Sequence, residues 1–485
     1  MRAGDLHLSL DPGRKGPLYL QVAATILEAV RDRRILPGVA LPGVRDLADR
    51  LGVTVNTILA ALRELQDQGW LTSQERSGFF VADPLPETRP APPGAPAPLF
   101  AGLAPGYDLP AHLQPITSTA NVLMDLTDGL ADARLAPSLA LGRAYQRGLK
   151  LKGPKLLGAS DFKGSPRLRE ALAEHLKAQR EILAGPEQIL ILRSTSMAVA
   201  VVAQALVGPA GGAVAVETPG NPLVWETLRQ AGATLVPLPV DAEGVSVEAL
   251  ERLLELGAVP PRLVVLTPQC QFPTGVGLSE PRRARLLELS RRHRFAILEL
   301  DPEFDYLPVQ GSRRPLASVD AGQVIYAGSL SRILAPGIRV SYVVAPEPLA
   351  GLLARARQHV DWQGDPVQEW ALAELILEGE LQRQLHRVRK AAQERREALE
   401  DALVHSMAGA LAFDAHGAMA LWLRGVGRLA EPVRFALWIR ACQSRGLKLR
   451  LGRHYDLGGQ DLAATRLGFT AFSPEELQRA VALMS

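Results

Sequence analysis

Apolar residues recur every four positions at Leu18, Val22, Ile26 and Val30, which predicts the buried face of a helix ending before Leu36-Pro37-Gly38. A short helix is expected from about Val44 to Leu51, followed by a tight turn at Gly52 and an N-cap at Thr54. The next helix, Val55 to about Gln68, puts Ile58, Leu59, Leu62 and Leu65 on one face and Asn56, Thr57 and Arg63 on the other. After Gly69 the period shortens to two. Trp70 to Ser73 and Gly78 to Val81 alternate like two small strands joined by the polar turn Gln74-Glu75-Arg76-Ser77. Three helices and a hairpin describe a winged helix-turn-helix.

From Asp83 to about Pro115 the pattern dissolves into prolines interspersed with alanine and glycine, the composition of a semi-extended tether or of an arm packed on the body. Beyond it, short β-branched runs return at Ile189 to Leu192, Ala213 to Glu217, Thr234 to Leu238, Leu263 to Thr267, Phe295 to Glu299, Val324 to Ala327 and Val340 to Ala345. Helical stretches lie between them: Ser196 to Val207, Val224 to Ala231, Val247 to Glu255 and Glu280 to Arg292. That alternation predicts a doubly wound α/β sheet. After Pro346 a helix-rich segment including Pro366 to Ala402 gives way to a smaller α+β part. The expected organisation is a first domain over 1–82, a linker over 83–118 and a body over 119–485, divided near 345 into a large and a small part.

Composition narrows the setting. A chain of 485 residues exceeds one ordinary domain, and a hydrophobic content of 47% supports a large core. The net charge of +3 is too small to identify a nucleic-acid partner by itself. Two cysteines, Cys270 and Cys442, exclude a disulfide framework and zinc clusters of several thiolates, and suit a reducing cytoplasm. The start, Met1 to Asp5, has no apolar signal region, and the apolar stretch near Met197 to Val207 is too short to span a bilayer. A cytoplasmic protein with no metal site and no membrane partner is expected.

The run Arg34-Ile-Leu-Pro-Gly38, Leu41 to Ala48, Leu51 to Thr57, Gly69-Trp-Leu71 and Ser77-Gly78 closely resembles the GntR-type winged-helix domain. The resemblance implies binding to double-stranded DNA, with Arg45, Thr54, Asn56 and Thr57 as contacts and Gly78 letting the wing approach the backbone. The N-terminal end of the second helix-turn-helix helix would enter the major groove. Many relatives carry arginine at the position of Val55, so base preference here is expected to differ.

The body resembles fold-type I aminotransferases, which use pyridoxal phosphate. The motifs are Gly185-Pro-Glu-Gln-Ile189, Ser194-Thr195-Ser196, Glu217-Thr-Pro-Gly220, Thr267 to Gly275, Tyr326 to Arg339 and Thr465 to Phe469. The whole chain therefore resembles the MocR subfamily of GntR-type regulators. That likeness implies a ligand-sensing body, a smaller C-terminal α+β domain and a head-to-tail homodimer supplying paired DNA modules.

By this resemblance Ser194, Thr195, Ser329 and Arg339 correspond to phosphate ligands and Arg466 to the arginine that clamps a substrate carboxylate. Arg332 stands where the family has its Schiff-base lysine. A guanidinium stays protonated and cannot take that role. The eight lysines leave Ala178 to Arg389 without one. The segment that pairs with the cofactor ring reads Glu299-Leu300-Asp301-Pro302-Glu303: Leu300 replaces the aspartate in the simplest alignment, a small shift would bring Asp301 to that place, and Tyr306 is the nearest tyrosine. Asn221 stands where relatives carry an aromatic. The expectation is a regulator with a catalytically silent body and no catalytic residues, binding no cofactor covalently. Noncovalent pyridoxal phosphate, or an active aminotransferase with an accessory winged helix, are the alternatives. The arginines would then either bind a small anionic effector, at Arg332 and Arg339, or close internal salt bridges.

Overall fold

The computed structural model describes residues 10, 16–74, 78–86, 122–307, 314–414 and 417–485, so most of the expected linker and the centre of the wing turn lie outside the described residues. The chain divides into two compact units, Met1–Ile116 and Thr117–Ser485.

In the first unit, α1 (Leu18–Arg31), α2 (Val44–Leu51) and α3 (Val55–Asp67) precede β1 (Leu71–Gln74) and β2 (Gly78–Val81). The four-residue apolar spacing brings Val22, Ile26 and Val30 against Leu47, Leu51, Ile58, Leu62 and Leu65. Each such large side chain, once buried, stabilises the unit by roughly 1.5–3 kcal/mol. On α3, Ala61 joins the buried face while Leu59 stays half-buried. Gly52 ends α2 at φ 64°, a left-handed conformation that a side chain would strain. The hairpin is antiparallel, with Leu71 opposite Val81, and Trp70 packs beneath it with the Arg31 guanidinium 5.4 Å from its ring.

The second unit is built on an eight-stranded sheet: β3 (Ile189–Leu192), β4 (Gly212–Thr218), β5 (Ala233–Asp241), β6 (Gly244–Val245), β7 (Leu263–Leu266), β8 (Ala296–Leu300), β9 (Val324–Ser329) and β10 (Ser341–Val344). The spatial order is β3-β10-β9-β8-β7-β4-β5-β6. The run from β9 to β5 is parallel, whereas β10 is antiparallel to both its neighbours. Strands β3, β7, β9 and β10 are buried along their whole length, which is why they read as unbroken apolar runs. The seven expected strands are all present, and the two-residue edge strand β6 is an addition. Helices Ser138–Leu156 and Pro166–Arg180 also join the large part, the first packing against Pro366–Leu377.

The expected helix-rich segment contains Pro366–Leu377 and Glu380–Met407, separated at Gly379, whose φ is 73°. The small part is an antiparallel sheet of β11 (Leu411–Phe413), β12 (Ala420–Gly425) and β13 (Ala464–Gly468), whose core includes Leu421, Leu423 and Leu467 packed with Leu399, Phe435 and Leu477 from the helices. Among the described residues no helix is long and apolar enough to cross a membrane.

Candidate functional sites

The first turn of α3 is fixed by its own side chains. The Thr54 hydroxyl accepts the Thr57 backbone N–H at 3.2 Å, and the two threonine hydroxyls lie 2.9 Å apart and share a hydrogen bond. Thr54 and Asn56 are exposed, Thr57 is half-buried, and Arg45 is exposed on α2. The neighbouring Arg50 is held by Asp46 one turn away at 2.8 Å. Gly78 opens β2 at the surface, with no atom within 4 Å of where a Cβ would stand. All five residues expected to meet DNA thus belong to the described surface of this unit. Of these, Thr54 also caps the helix, accepting the Thr57 N–H.

In the second unit a cavity of about 190 Å³ opens at the carboxyl ends of the parallel strands. Val216 and Glu217 reach it from β4, Val265 and Leu266 from β7, Leu300 from β8, and Thr195 and Ser196 from the helix after β3. Asp128, Arg332 and Arg450 complete its charged lining together with Glu303. None of the lining residues is lysine.

Arg332 of the lining and Arg466 behind it are paired within the chain. Arg332 donates to Asp128 Oδ2 at 2.9 Å and to the Gly129 carbonyl. Arg466 is wholly buried behind the lining. It donates to Glu303 and to the Pro273 carbonyl, lies 3.4 Å from Asp128 Oδ1, and has Phe272 stacked 4.5 Å from its guanidinium. Burial alone would raise the Asp128 carboxyl; Arg332 and Arg466 outweigh it and hold Asp128 below the ordinary carboxylate range. Burial likewise opposes the charge of Arg332, but Asp128 and Glu303 keep its affinity for the proton above the usual arginine value. An alternating chain of Arg332, Asp128, Arg466 and Glu303 results.

Strand alternation settles the ambiguous segment. Leu300 and Pro302 line the cavity, and Asp301 does not. Glu299 accepts the backbone N–H groups of Leu316 and Ala317 at 3.0 and 2.9 Å. Asp301 is also buried away from the cavity, accepting the Tyr326 hydroxyl at 2.7 Å. The cause is the pleat: side chains either side of Leu300 leave the opposite face of β8. Asp301 belongs instead to a buried network in which Arg180 donates to Tyr326 and Asp305, each at 2.7 Å. Burial pushes Asp301 up to about 7. Tyr306 donates its hydroxyl to the Arg332 carbonyl at 2.8 Å.

The other expected pocket residues divide. Thr195 lines the cavity, whereas Ser194 caps the helix by accepting Met197 N–H at 3.1 Å. Ser329 bonds Ser341 at 3.1 Å, and Arg339 is exposed; neither belongs to the lining. Sequence reasoning missed Asp128, Arg450 and the place of Glu217 in the lining. Glu217 accepts from both the backbone and the hydroxyl of Thr267, at 3.1 and 2.8 Å, and burial pushes its carboxyl up to about 7. A carboxylate closing an apolar run that ends at Thr218-Pro219 was the available signal.

Fold and site together define a winged helix joined to a fold-type I aminotransferase-like body. The chain belongs to the aminotransferase class I and II family, whose model matches residues 124–483, and its first unit matches the gntR family of bacterial regulatory proteins over 18–81. This pairing is that of the MocR subfamily. The chain is 29% identical to the probable rhizopine catabolism regulatory protein MocR of Rhizobium meliloti, across 98% of this chain and 94% of that protein. It is 28% identical to the HTH-type transcriptional regulator TauR of Rhodobacter capsulatus, across 98% and 97%. Among solved structures, LysN, an α-aminoadipate aminotransferase of Thermus thermophilus complexed with N-(5'-phosphopyridoxyl)-L-leucine, superposes with a TM-score of 0.68 at 25% identity, over 76% of this chain and 93% of that one. An archaeal alanine:glyoxylate aminotransferase gives 0.67 at 25%, over 75% and 89%.

Proposed function

We propose that the protein is a DNA-binding transcriptional regulator whose aminotransferase-like body carries out no transamination and serves dimerisation and ligand sensing. The observation that carries this reading is the first turn of α3: Asn56 and, on α2, Arg45 stand exposed on a unit matched by the gntR family. Phosphates fix such a unit on the duplex and base edges give it sequence preference. Two copies in a head-to-tail homodimer would supply two half-sites.

Pyridoxal phosphate held through a lysine does not fit the residues of the cavity. Arg332 cannot condense with an aldehyde, and Leu300 and Pro302 present apolar surface where a cofactor ring would need polar partners. Arg466 is already matched by Glu303, which argues against a free substrate-carboxylate clamp.

The test is binding of the full-length protein to duplex DNA from its own promoter region across a salt series. Affinity is expected to fall linearly on logarithmic axes as salt rises, with Arg45→Ala weakening it at each concentration. Binding that ignores both salt and Arg45→Ala would remove the regulator reading.

A further inference from the structure

We infer that Val55 makes each half-site favour a thymine methyl opposite the first turn of α3. This rests on the DNA-binding reading above and goes further by assigning a base. Val55 is the first residue of α3 and remains 40% exposed. The other exposed large apolar side chains described in this unit, Leu18, Leu20 and Leu36, belong to α1 and the turn after it. Val55 therefore stands alone as an apolar group on the reading turn, between the exposed Thr54 and Asn56.

The chemistry of its neighbours narrows the roles. Thr54 and Thr57 spend hydrogen-bonding capacity on each other and on the Thr57 N–H, so they serve the helix before they serve a base. Asn56 retains an amide able to bond the N6 and N7 edge of adenine. Val55 has neither donor nor acceptor. In the major groove the base feature that most rewards an isopropyl group is the C5-methyl of thymine; over the polar edge atoms of the other bases it displaces water without replacing the lost hydrogen bonds. Val55 accordingly selects by contact with a methyl and by rejection of the other edges.

Selection of bound duplexes from a randomised pool with the full-length protein would first supply a half-site. Each enriched dT is then replaced singly by dU, which removes only the methyl. One position in each half-site is expected to lose about fourfold in affinity, the value of one buried methyl, and Val55→Ala should abolish that sensitivity. Val55→Arg should shift the preference at the same position toward a G·C pair. The inference is overturned if every thymine tolerates dU, or if dU costs wild type and Val55→Ala equally. Enrichment of no sequence would instead sink the DNA-binding reading, and this inference with it.

Discussion

Arg45 and Asn56 project from the first unit with their polar groups at the surface, whereas Arg332 and Arg466 in the second unit close on Asp128 and Glu303 of the same chain. The same residue type thus serves opposite ends. An exposed guanidinium retains its donors for a phosphate or a base. Arg466, locked with Glu303 in a buried ion pair, must be released before it can bind anything, leaving that carboxylate without its counter-charge, whereas the Arg332–Asp128 pair is half-buried. The four alternating charges join Asp128, near the start of the body, to Glu303 and Arg332 of the large part and Arg466 on β13 of the small part. In this chain of charges each arginine faces a carboxylate of the same protein.

The contrast breaks most severely at Arg466. Arg466→Met leaves Glu303 buried without its partner and should destabilise the protein by about 3–5 kcal/mol in chemical denaturation, while adding Glu303→Leu should recover much of that loss. An unchanged midpoint in Arg466→Met would show that the chain of charges does not hold the parts together.

Glu217 gives the next largest effect, and it depends on pH. Its carboxyl ordinarily titrates near 4.5, but in the folded protein it is held up to about 7. The folded state therefore binds the proton more tightly than the unfolded one. The associated stability is complete below about pH 4.5 and is lost as pH rises through 7. Glu217→Gln, which cannot ionise, should exceed wild type at pH 8 by roughly 2–3 kcal/mol more than at pH 4.5. Asp301 is displaced in the same direction, so comparing the two proteins at each pH isolates Glu217. Equal differences at both pH values would count against a buried, proton-holding carboxyl in the cavity.

The exposed side of the contrast is sharpened by Asn56→Ala. A lost bidentate base contact should weaken binding to a selected duplex by about ten- to a hundredfold while leaving thermal unfolding unchanged. If melting shifts instead, Asn56 is a structural residue of α3. The smallest effect is expected at Gly52, whose left-handed φ of 64° makes Gly52→Ala cost about 1 kcal/mol in the first unit. Stability retained in that variant would show that the turn relaxes freely.

Local pattern carried most of the architecture. The helices of the first unit and the buried strands of the sheet follow from apolar spacing, and Val247–Glu255 coincides with its expected bounds. Helix Ser138–Leu156 is less visible because Leu139, Leu149 and Leu151 are exposed and Pro154 lies within it, blurring any apolar stripe. The cavity was harder to read for two reasons. A shift of one residue along β8 exchanges Leu300 for Asp301 and reverses the face, and no pattern in that short segment fixes the register. The ion pairs also join residues 204 and 163 positions apart, Asp128 with Arg332 and Glu303 with Arg466, so only the fold reveals them. Sequence could mark the arginines but not their counter-ions.

No lysine lines the cavity of the second unit, so no lysine is expected to capture pyridoxal phosphate there. The most direct test is to incubate the purified full-length protein with the cofactor, reduce with borohydride, and compare intact masses and peptide maps with untreated protein. No stoichiometric adduct is expected in the second unit. A stoichiometric adduct on a single lysine of that unit, abolished by replacing that lysine, would contradict it.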